Sequence, residues 1–288
     1  IERSFMNEGL NVLSLFDGMS CGMIALERAG IKVKNYYASE IDKHAIKVSK
    51  ANYPNIIQLG DVTSVDTSTL PKIDLLIGGS PCQGFSMAGK QLAFDDPRSK
   101  LYFEYERILK ELQVINPNIK FLLENVKMKQ EFKDVITSRL GVEPIAINSN
   151  LVSAQNRYRL YWTNIEGITQ PQDKNIVLDD IIDNSLTLKS PKNTLRCSNG
   201  LVVKYLDPYN KREIRSKSTS LRTNVNNGNM WVLNGDGVDY RNLTLSECEV
   251  LQTVPVGYTR YASEAQSKKM LGNGWTVDVI AHIFQGLK

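Results

Sequence analysis

Between positions 10 and 163 short apolar runs alternate with amphipathic stretches, and that rhythm restricts the chain to few folds. Runs at 10–16, 36–39, 56–59, 73–77, 121–123, 145–148 and 158–163 are short, which suits buried strands better than helices. Between them, helices are expected up to Ala29, over 42–52, over 101–114 and over 130–140. The stretch at 101–114 carries Leu101, Tyr105, Ile108, Leu109 and Leu112, the apolar spacing of one helix face. Gly30 stands where a glycine closes a helix. Strands and helices taken in turn imply a mostly parallel sheet covered on both faces, so the expected fold class is α/β.

From 168 to 240 the rhythm lapses. Pro171, Pro191, Asn199 and Gly200, Asn226 and Gly228, and Asn234 and Gly237 divide the chain into short extended pieces, which predicts a small, loop-rich second domain. Thr244 and Glu247 then have the spacing of a capping box, opening a helix to Thr253, and two more helices are expected over 263–271 and 275–284. Residues 1–5 look like a tag or processing remnant ahead of Met6. The expected bounds are 6–167 for a large first domain, 168–240 for the second, and 241–288 for helices that return to the first.

The 288 residues are 42% hydrophobic and 23% charged, a globular balance with material for a large core. No apolar run approaches the roughly 18 residues that span a bilayer, so no membrane partner is expected. Cys21, Cys82, Cys197 and Cys248 are irregularly spaced without a Cys-x-x-Cys pair, so neither a disulfide framework nor a zinc site is indicated. A reducing, cytoplasmic setting follows. With two histidines in the chain, a cysteine–histidine dyad of the protease type is disfavoured. Net charge is +4, but nine basic residues between Lys189 and Thr223 meet only Asp207 and Glu213. That segment carries +7 and the rest of the chain −3.

Chemistry gathers where strands end. After the run at 73–77, Gly78, Gly79 and Pro81 are expected to stop the strand and set Cys82 on a tight turn, at the edge where open α/β sheets bind ligands. A cysteine by itself is more often inert packing. Residues 83–99 are polar and aperiodic, long enough to close over a substrate. After the first strand, Phe16, Asp17, Gly18, Met19, Ser20, Cys21 and Gly22 turn into a helix N-terminus, where backbone N–H groups can approach a ligand. Glu40, after the second strand, suits both hydroxyls of a ribose, and Asp61, after the third, suits an adenine amino group. Each acid alone reads as an exposed strand-end charge; three along one edge read as a nucleoside site. Without a full glycine motif or a phosphate-binding lysine, S-adenosyl-L-methionine fits better than a dinucleotide or ATP, with S-adenosyl-L-homocysteine as the product.

The succession of the 16–22 turn, Glu40, Asp61, Pro81 with Cys82 and Gln83, Glu124 with Asn125 and Val126, the 155–159 run and the 272–275 run resembles the DNA cytosine-5 methyltransferase family over nearly the whole chain. Details at 77–82, 254–258 and 274–277 are similar to its animal de novo branch, whereas the compact size is more like a bacterial or phage enzyme. The resemblance implies a Rossmann-like S-adenosylmethionine-dependent fold, with target recognition assigned to 168–240. It implies cofactor contacts from the 16–22 turn, Glu40, Ile41, Asp61, Val62, Pro81, Leu101, Asn273, Gly274 and Trp275. The reaction itself asks for these residue types. Carbon 5 of cytosine becomes nucleophilic when a thiolate adds at carbon 6, the role of Cys82. Glu124 would supply a proton or a strong hydrogen bond at ring nitrogen 3 if burial raises its pKa, and Arg159, with Arg157, would hold the base carbonyl. Glu124 equally suits a helix N-terminus, and one of the two arginines equally suits a plain ion pair. His44, His282, Trp162 and Trp231 read as structural.

A cytosine inside a duplex is out of reach, so the base must rotate out into the pocket. Gln83, Ser86, Lys90 and Arg98 would close behind it, while Lys211, Arg212, Arg215 and Lys217 would grip phosphates. Base edges would be read by Ser218, Thr219, Arg222, Thr223, Asn224, Asn226, Asn227 and Asn229, a stretch that also reads as a plain turn. The expected partner is double-stranded DNA, and the expected state a monomer or a weak homodimer through 254–269. Structured RNA is an alternative substrate, since one branch of the family methylates tRNA, although the Cys-Phe-Thr motif of that branch is missing here. A catalytically silent DNA-binding subunit is another, and Cys82, Glu124 and both arginines speak against it.

Overall fold

The computed structural model describes residues 9–80, 100–183, 205–207, 212–221, 230–233 and 240–288. In chain order the first elements are β1 (Leu10–Leu15), α1 (Cys21–Ala29), β2 (Val33–Ser39), α2 (Lys43–Asn52), β3 (Ile57–Gln58), β4 (Leu75–Gly79), α3 (Lys100–Ile115), β5 (Lys120–Val126) and α4 (Gln130–Leu140). There follow β6 (Ile145–Asn148), β7 (Gln155–Asn156), β8 (Tyr158–Thr163), β9 (Tyr205–Asp207), β10 (Arg212–Ile214), β11 (Ser218–Thr219), β12 (Trp231–Leu233) and β13 (Tyr240–Asn242). Three helices end the chain: α5 (Leu245–Leu251), α6 (Glu264–Asn273) and α7 (Val277–Phe284). Packing divides the chain into two compact units, Ile1–Ile147 with Tyr158–Gln170 and Val277–Lys288, and Asn148–Arg157 with Pro171–Thr276.

The first unit is the α/β body. Its seven strands lie in the order β3-β2-β1-β4-β5-β8-β6. β1 pairs in parallel with β2 and with β4, β4 pairs in parallel with β5, and β8 runs antiparallel to β5. The chain steps outward from β1 to β3, then returns to the other side of β1 as β4. That reversal leaves a crevice at the carboxyl ends of β1 and β4, where open sheets take their ligands. Val12, Leu13, Leu15, Leu75, Leu76 and Ile77 are wholly buried, the continuous apolar reading of strands covered on both faces. α3 lays Tyr102, Tyr105, Ile108, Leu109 and Leu112 into the core, each such side chain contributing roughly 2 kcal/mol. α1 packs against α7, with Arg28 and Asp278 paired at 2.7 Å. Local chemistry sets the ends: the Asp42 side chain caps α2 by accepting from the His44 N–H at 2.8 Å, and Gly30 closes α1.

Two strand ends differ from expectation. Gly78 and Gly79 continue β4 instead of stopping it, because the ladder to β5 holds through Gly78↔Leu123 and Gly79↔Glu124. Their small size serves packing: a Cβ on Gly78 would stand 3.0 Å from the Leu15 carbonyl oxygen and 3.1 Å from the Tyr105 ring. Glu124 and Asn125, expected at the end of the fifth strand, lie within it, since antiparallel pairing with β8 continues to Val126↔Arg159. A carboxylate inside a strand cannot serve a helix N-terminus, so that reading of Glu124 falls away.

The second unit is built from short strands. β9, β10, β12 and β13 form an antiparallel sheet in the order β10-β9-β12-β13, and β7 pairs in parallel with β11. Trp231 stacks on Tyr240 at 4.1 Å between ring centroids. The expected capping box is present, with the Glu247 N–H donating to Thr244 Oγ1 and the Thr244 N–H donating to Glu247. Arg241 meets the same carboxylate at 2.7 Å in a buried ion pair. The packing units are drawn differently from the bounds 6–167, 168–240 and 241–288: α5 packs with α6 in the second unit, and α7 joins the first. Among the described residues no helix is long and apolar enough to cross a membrane.

Because Gly78 has a backbone oxygen on one side and an aromatic ring on the other, Gly78→Ala should destabilise the fold by about 1–3 kcal/mol. Urea unfolding measures this, and an unchanged midpoint would show that the packing of β4 on α3 yields without cost.

Candidate active site

The turn after β1 is held in an uncommon backbone. Phe16, Gly18 and Ser20 adopt φ of 56°, 60° and 65°, left-handed values that cost a non-glycine residue energy unless its surroundings impose them. The surroundings do impose them here. The Asp17 N–H donates to the Ser39 carbonyl at 3.1 Å, the Gly18 N–H to Glu40 Oε2 at 2.7 Å, and the Ser20 N–H to the Asp17 carbonyl at 3.1 Å. Below the turn Asp17 is buried and accepts from Tyr36 Oη at 2.7 Å and from Ser20 Oγ, which also meets Ser49 Oγ at 2.6 Å. Burial pushes the Asp17 carboxyl up to about 6, against hydrogen bonds from Ser14, Ser20 and Tyr36 that act the other way. Sequence reading misses Tyr36 and Ser49, because nothing in their spacing marks them as partners of Asp17.

The acids at the strand ends are organised by backbone. Glu40 accepts from the Gly18, Ile41 and Asp42 N–H groups at 2.7, 2.8 and 2.8 Å, which occupies most of the roughly four acceptor positions of a carboxylate. It therefore keeps about one position for a ligand hydroxyl, where two were expected. Asp61 caps a short turn, with the Thr63 N–H and hydroxyl both donating to Oδ1 at 2.9 Å, and these bonds hold its carboxyl below the usual value. Ile41 is 74% exposed beside Glu40, an unusual position for so apolar a side chain. Met19, Ser20 and Cys21 are buried beneath the turn, so their side chains support it, and Gly22 is buried in α1. Val62 is buried behind Asp61, and Leu101 packs on the core. A Cβ on Gly18 or on Gly60 would meet nothing within 4 Å, so the turns after β1 and β3 are both flanked by open space. Exposed backbone, paired acids and an exposed apolar side chain fit a nucleoside with a ribose diol.

At the ends of β4, β5 and β8 a second cluster forms in the same unit. Cys82, with Pro81, Gln83, Ser86, Lys90 and Arg98, lies outside the described residues. Ser80, two positions before Cys82, is buried and accepts from Asn125 Nδ2 at 3.1 Å. Glu124, opposite Gly79 in the ladder, is 9% exposed and pairs with Arg159 Nε at 2.9 Å. Arg159 Nη1 donates to the Tyr158 carbonyl at 2.9 Å, which fixes the guanidinium plane. A carboxyl group and a guanidinium locked together at a sheet edge can meet neighbouring polar atoms of one ring.

In the second unit Arg157 is buried, and its Nη2 donates to the Gly272 and Gly274 carbonyls at 3.1 and 2.9 Å. Two backbone partners make it a support for the 272–274 turn, where a hold on the base carbonyl was expected. Lys217 needs a similar correction: Nζ donates to the Asn150, Ser153 and Ile176 carbonyls at 2.7, 3.3 and 2.5 Å, so its three donors are spent internally and not on phosphate. Ser218 is buried in β11, which leaves its side chain covered, and Thr219 is half-buried beside it. Arg215 has 87% of its side chain exposed. The backbone of Arg212 lies in β10; Lys211, Arg222, Thr223, Asn224, Asn226, Asn227 and Asn229 lie outside the described residues. His282 Nε2 donates to the Thr169 carbonyl at 2.8 Å, and Trp162 is core, donating to Thr137 Oγ1 at 3.0 Å. Among the described residues no group of His, Cys, Asp or Glu could hold a metal ion.

The family described as C-5 cytosine-specific DNA methylase matches residues 10–161 and 131–288. Type II methyltransferase M1.ScrFI of Lactococcus lactis subsp. cremoris is 30% identical over 93% of this chain and 75% of its own length. Type II methyltransferase M.NlaX of Neisseria lactamica is 28% identical over 96% of both chains. Among solved structures, the Entamoeba histolytica methyltransferase EhMeth superposes with a TM-score of 0.74 at 17% identity, covering 97% of this chain and 99% of that one.

Asp17 gives this site a pH signature. Its folded carboxyl titrates above the unfolded one, so the native chain binds the proton more tightly, and the carboxyl's contribution falls as pH rises towards about 6 and beyond. Urea unfolding should find the chain about 2 kcal/mol more stable at about pH 4.5 than at about pH 7.5 relative to Asp17→Asn. Equal pH dependence in both proteins would remove the buried carboxyl as the cause.

Proposed function

The chain belongs to the C-5 cytosine-specific DNA methylase family, and we propose that it methylates carbon 5 of a cytosine rotated out of duplex DNA. Glu124 paired with Arg159 at 2.9 Å, with Ser80 buried nearby two residues before Cys82, is the observation that carries this reading. Cys82 as thiolate forms a bond to carbon 6, and the ring electron pair moves to carbon 5. Glu124 holds a proton at ring nitrogen 3 as charge develops there. Arg159 has Nε on Glu124 and Nη1 on the Tyr158 carbonyl, which leaves Nη2 for the base carbonyl. When bound, S-adenosyl-L-methionine supplies an electrophilic methyl group on a sulfonium. Once carbon 5 carries the methyl group, a water molecule acting as base takes the carbon 5 proton, the electron pair of that C–H bond re-forms the ring double bond, and Cys82 leaves carbon 6 as thiolate.

The cofactor would lie on the turn of Phe16 and Gly18, with Glu40 for the ribose and Ile41 and Asp61 for the adenine. Asn273, Gly274 and Trp275 share that role by their resemblance to the family. Arg215, together with Lys211 and Arg212, would grip phosphates, and the 83–99 stretch would close behind the base. The expected setting is DNA in a bacterial or phage-infected cell.

A duplex carrying 5-fluorocytosine, incubated with the chain and cofactor, should trap a covalent adduct. Cys82→Ser should form none while binding S-adenosylhomocysteine normally. Near-native methylation by that variant would refute the thiolate, and an adduct on tRNA but on no DNA would move the substrate to RNA. Bisulfite sequencing of plasmid from expressing cells should map the methylated site. Neutralising Lys211, Arg212 and Arg215 together should flatten the salt dependence of DNA affinity by about 0.9 in logarithmic slope for each phosphate no longer neutralised. An unchanged slope would mean these residues do not touch the backbone.

A further inference from the structure

A relay of buried hydroxyls lies beneath the turn after β1, and the proposed chemistry does not use it. Ser14, Ser20, Tyr36 and Ser49 are all buried and arrive from β1, the turn itself, β2 and α2. Tyr36 Oη donates to Asp17 Oδ1 at 2.7 Å, Ser20 Oγ donates to Asp17 Oδ2, and Ser14 adds a third bond to the same carboxyl. Ser20 has one hydroxyl proton and spends it on Asp17. At the 2.6 Å contact between Ser20 Oγ and Ser49 Oγ the donor is therefore Ser49. The relay has a direction, from Ser49 to Ser20 to Asp17, with Tyr36 entering at the other oxygen. Burial and the Asp17 carboxyl hold the Tyr36 phenol well above its usual value, so it stays a donor. The other titratable groups facing the relay are Glu40, which holds the Gly18 N–H, and Cys21 of α1, which lies near Tyr36.

Ser20 is where the relay meets the backbone. It is the N-cap of α1, a position from which a serine side chain commonly accepts an N–H of the first turn. Here the side chain makes no cap bond, φ is 65°, and the hydroxyl goes to Asp17 instead. Every hydroxyl on Asp17 is a donor, which suits a carboxylate, an acceptor only. Protonated, Asp17 becomes one more donor among donors, and one of them must turn away or stay unpaired, at about 1–3 kcal/mol. Ser20 is the member that carries the turn with it, and its left-handed backbone persists only while its surroundings impose it. We infer that Tyr36 is a positioning residue for the 16–20 turn: with Ser20 and Ser49 it keeps Asp17 an anion, and that anion holds the turn ready for the cofactor. This rests on the function proposed above, in which that turn seats the cofactor. Linkage then sets cofactor against proton, so binding below about pH 6 expels the proton from Asp17.

The test is calorimetric titration of the full chain with S-adenosylhomocysteine across the pH range in which Asp17 titrates. Affinity should be about tenfold weaker at about pH 5 than at about pH 7.5, falling through a midpoint of about 6. Tyr36→Phe keeps the ring and removes a donor to the carboxylate, so the midpoint should rise by about one pH unit. A merely structural loss would weaken binding at every pH and leave the midpoint where it was. Asp17→Asn should bind weakly and equally across the range. Should Tyr36→Phe fail to fold, Ser20→Gly supplies the reading: glycine takes a left-handed φ without strain, and loss of the hydroxyl should raise the midpoint as well. Wild-type affinity that ignores pH overturns the inference, as does a wild-type pH profile in Asp17→Asn or an unmoved midpoint in folded Tyr36→Phe or Ser20→Gly. A wild type that binds no S-adenosylhomocysteine at any pH sinks the proposed function, and the inference with it.

Discussion

The antiparallel ladder between β5 and β8 is the constraint on which the site depends. Running against β5, β8 brings residues far apart in the chain into direct opposition, with Glu124 against Tyr161 and Val126 against Arg159. Register is strict in a buried sheet, because a slip of one residue turns every side chain to the other face. The meeting of Glu124 and Arg159 is therefore specified by Leu122, Leu123, Leu160 and Trp162, whose burial fixes the ladder. Ordinary core packing places the charged pair, and the pair needs no loop to hold it.

Much of this body is legible in the chain. The strand and helix rhythm predicts the elements of the α/β unit closely, and α4 and the strands β6 and β8 fall where that rhythm puts them. Apolar period carries that information directly. What it cannot carry is where a ladder ends, because strand length depends on the neighbouring strand. Gly78 and Gly79 look like punctuation in one dimension, yet their neighbours Leu15 and Tyr105 make them packing residues. Glu124 looks terminal for the same reason. Its partner Arg159 stands out in the sequence too, but the bond between them is a fact of register.

Charge is the less legible quantity. The run of basic residues reads as a single grip on nucleic acid, but the positive charges in the second unit do different work. Lys217 lies among three carbonyls, Arg157 braces a turn, and Arg241 is buried against Glu247. Arg215 alone among these four keeps its side chain largely exposed. A count of charges cannot separate an ammonium satisfied by backbone oxygens from one facing solvent, since both look the same in sequence. Asp17 shows the converse, an acid whose value lies in being hidden under a turn.

The shortness of β3 has a consequence for the molecule in solution. Ile57 and Gln58 form the rim of the seven-stranded sheet, and the strand is two residues long. A longer open margin would offer a row of unpaired amides to which another chain could add. So brief a margin gives a stray strand almost nothing to extend, which protects this side of a highly apolar sheet from self-templated aggregation.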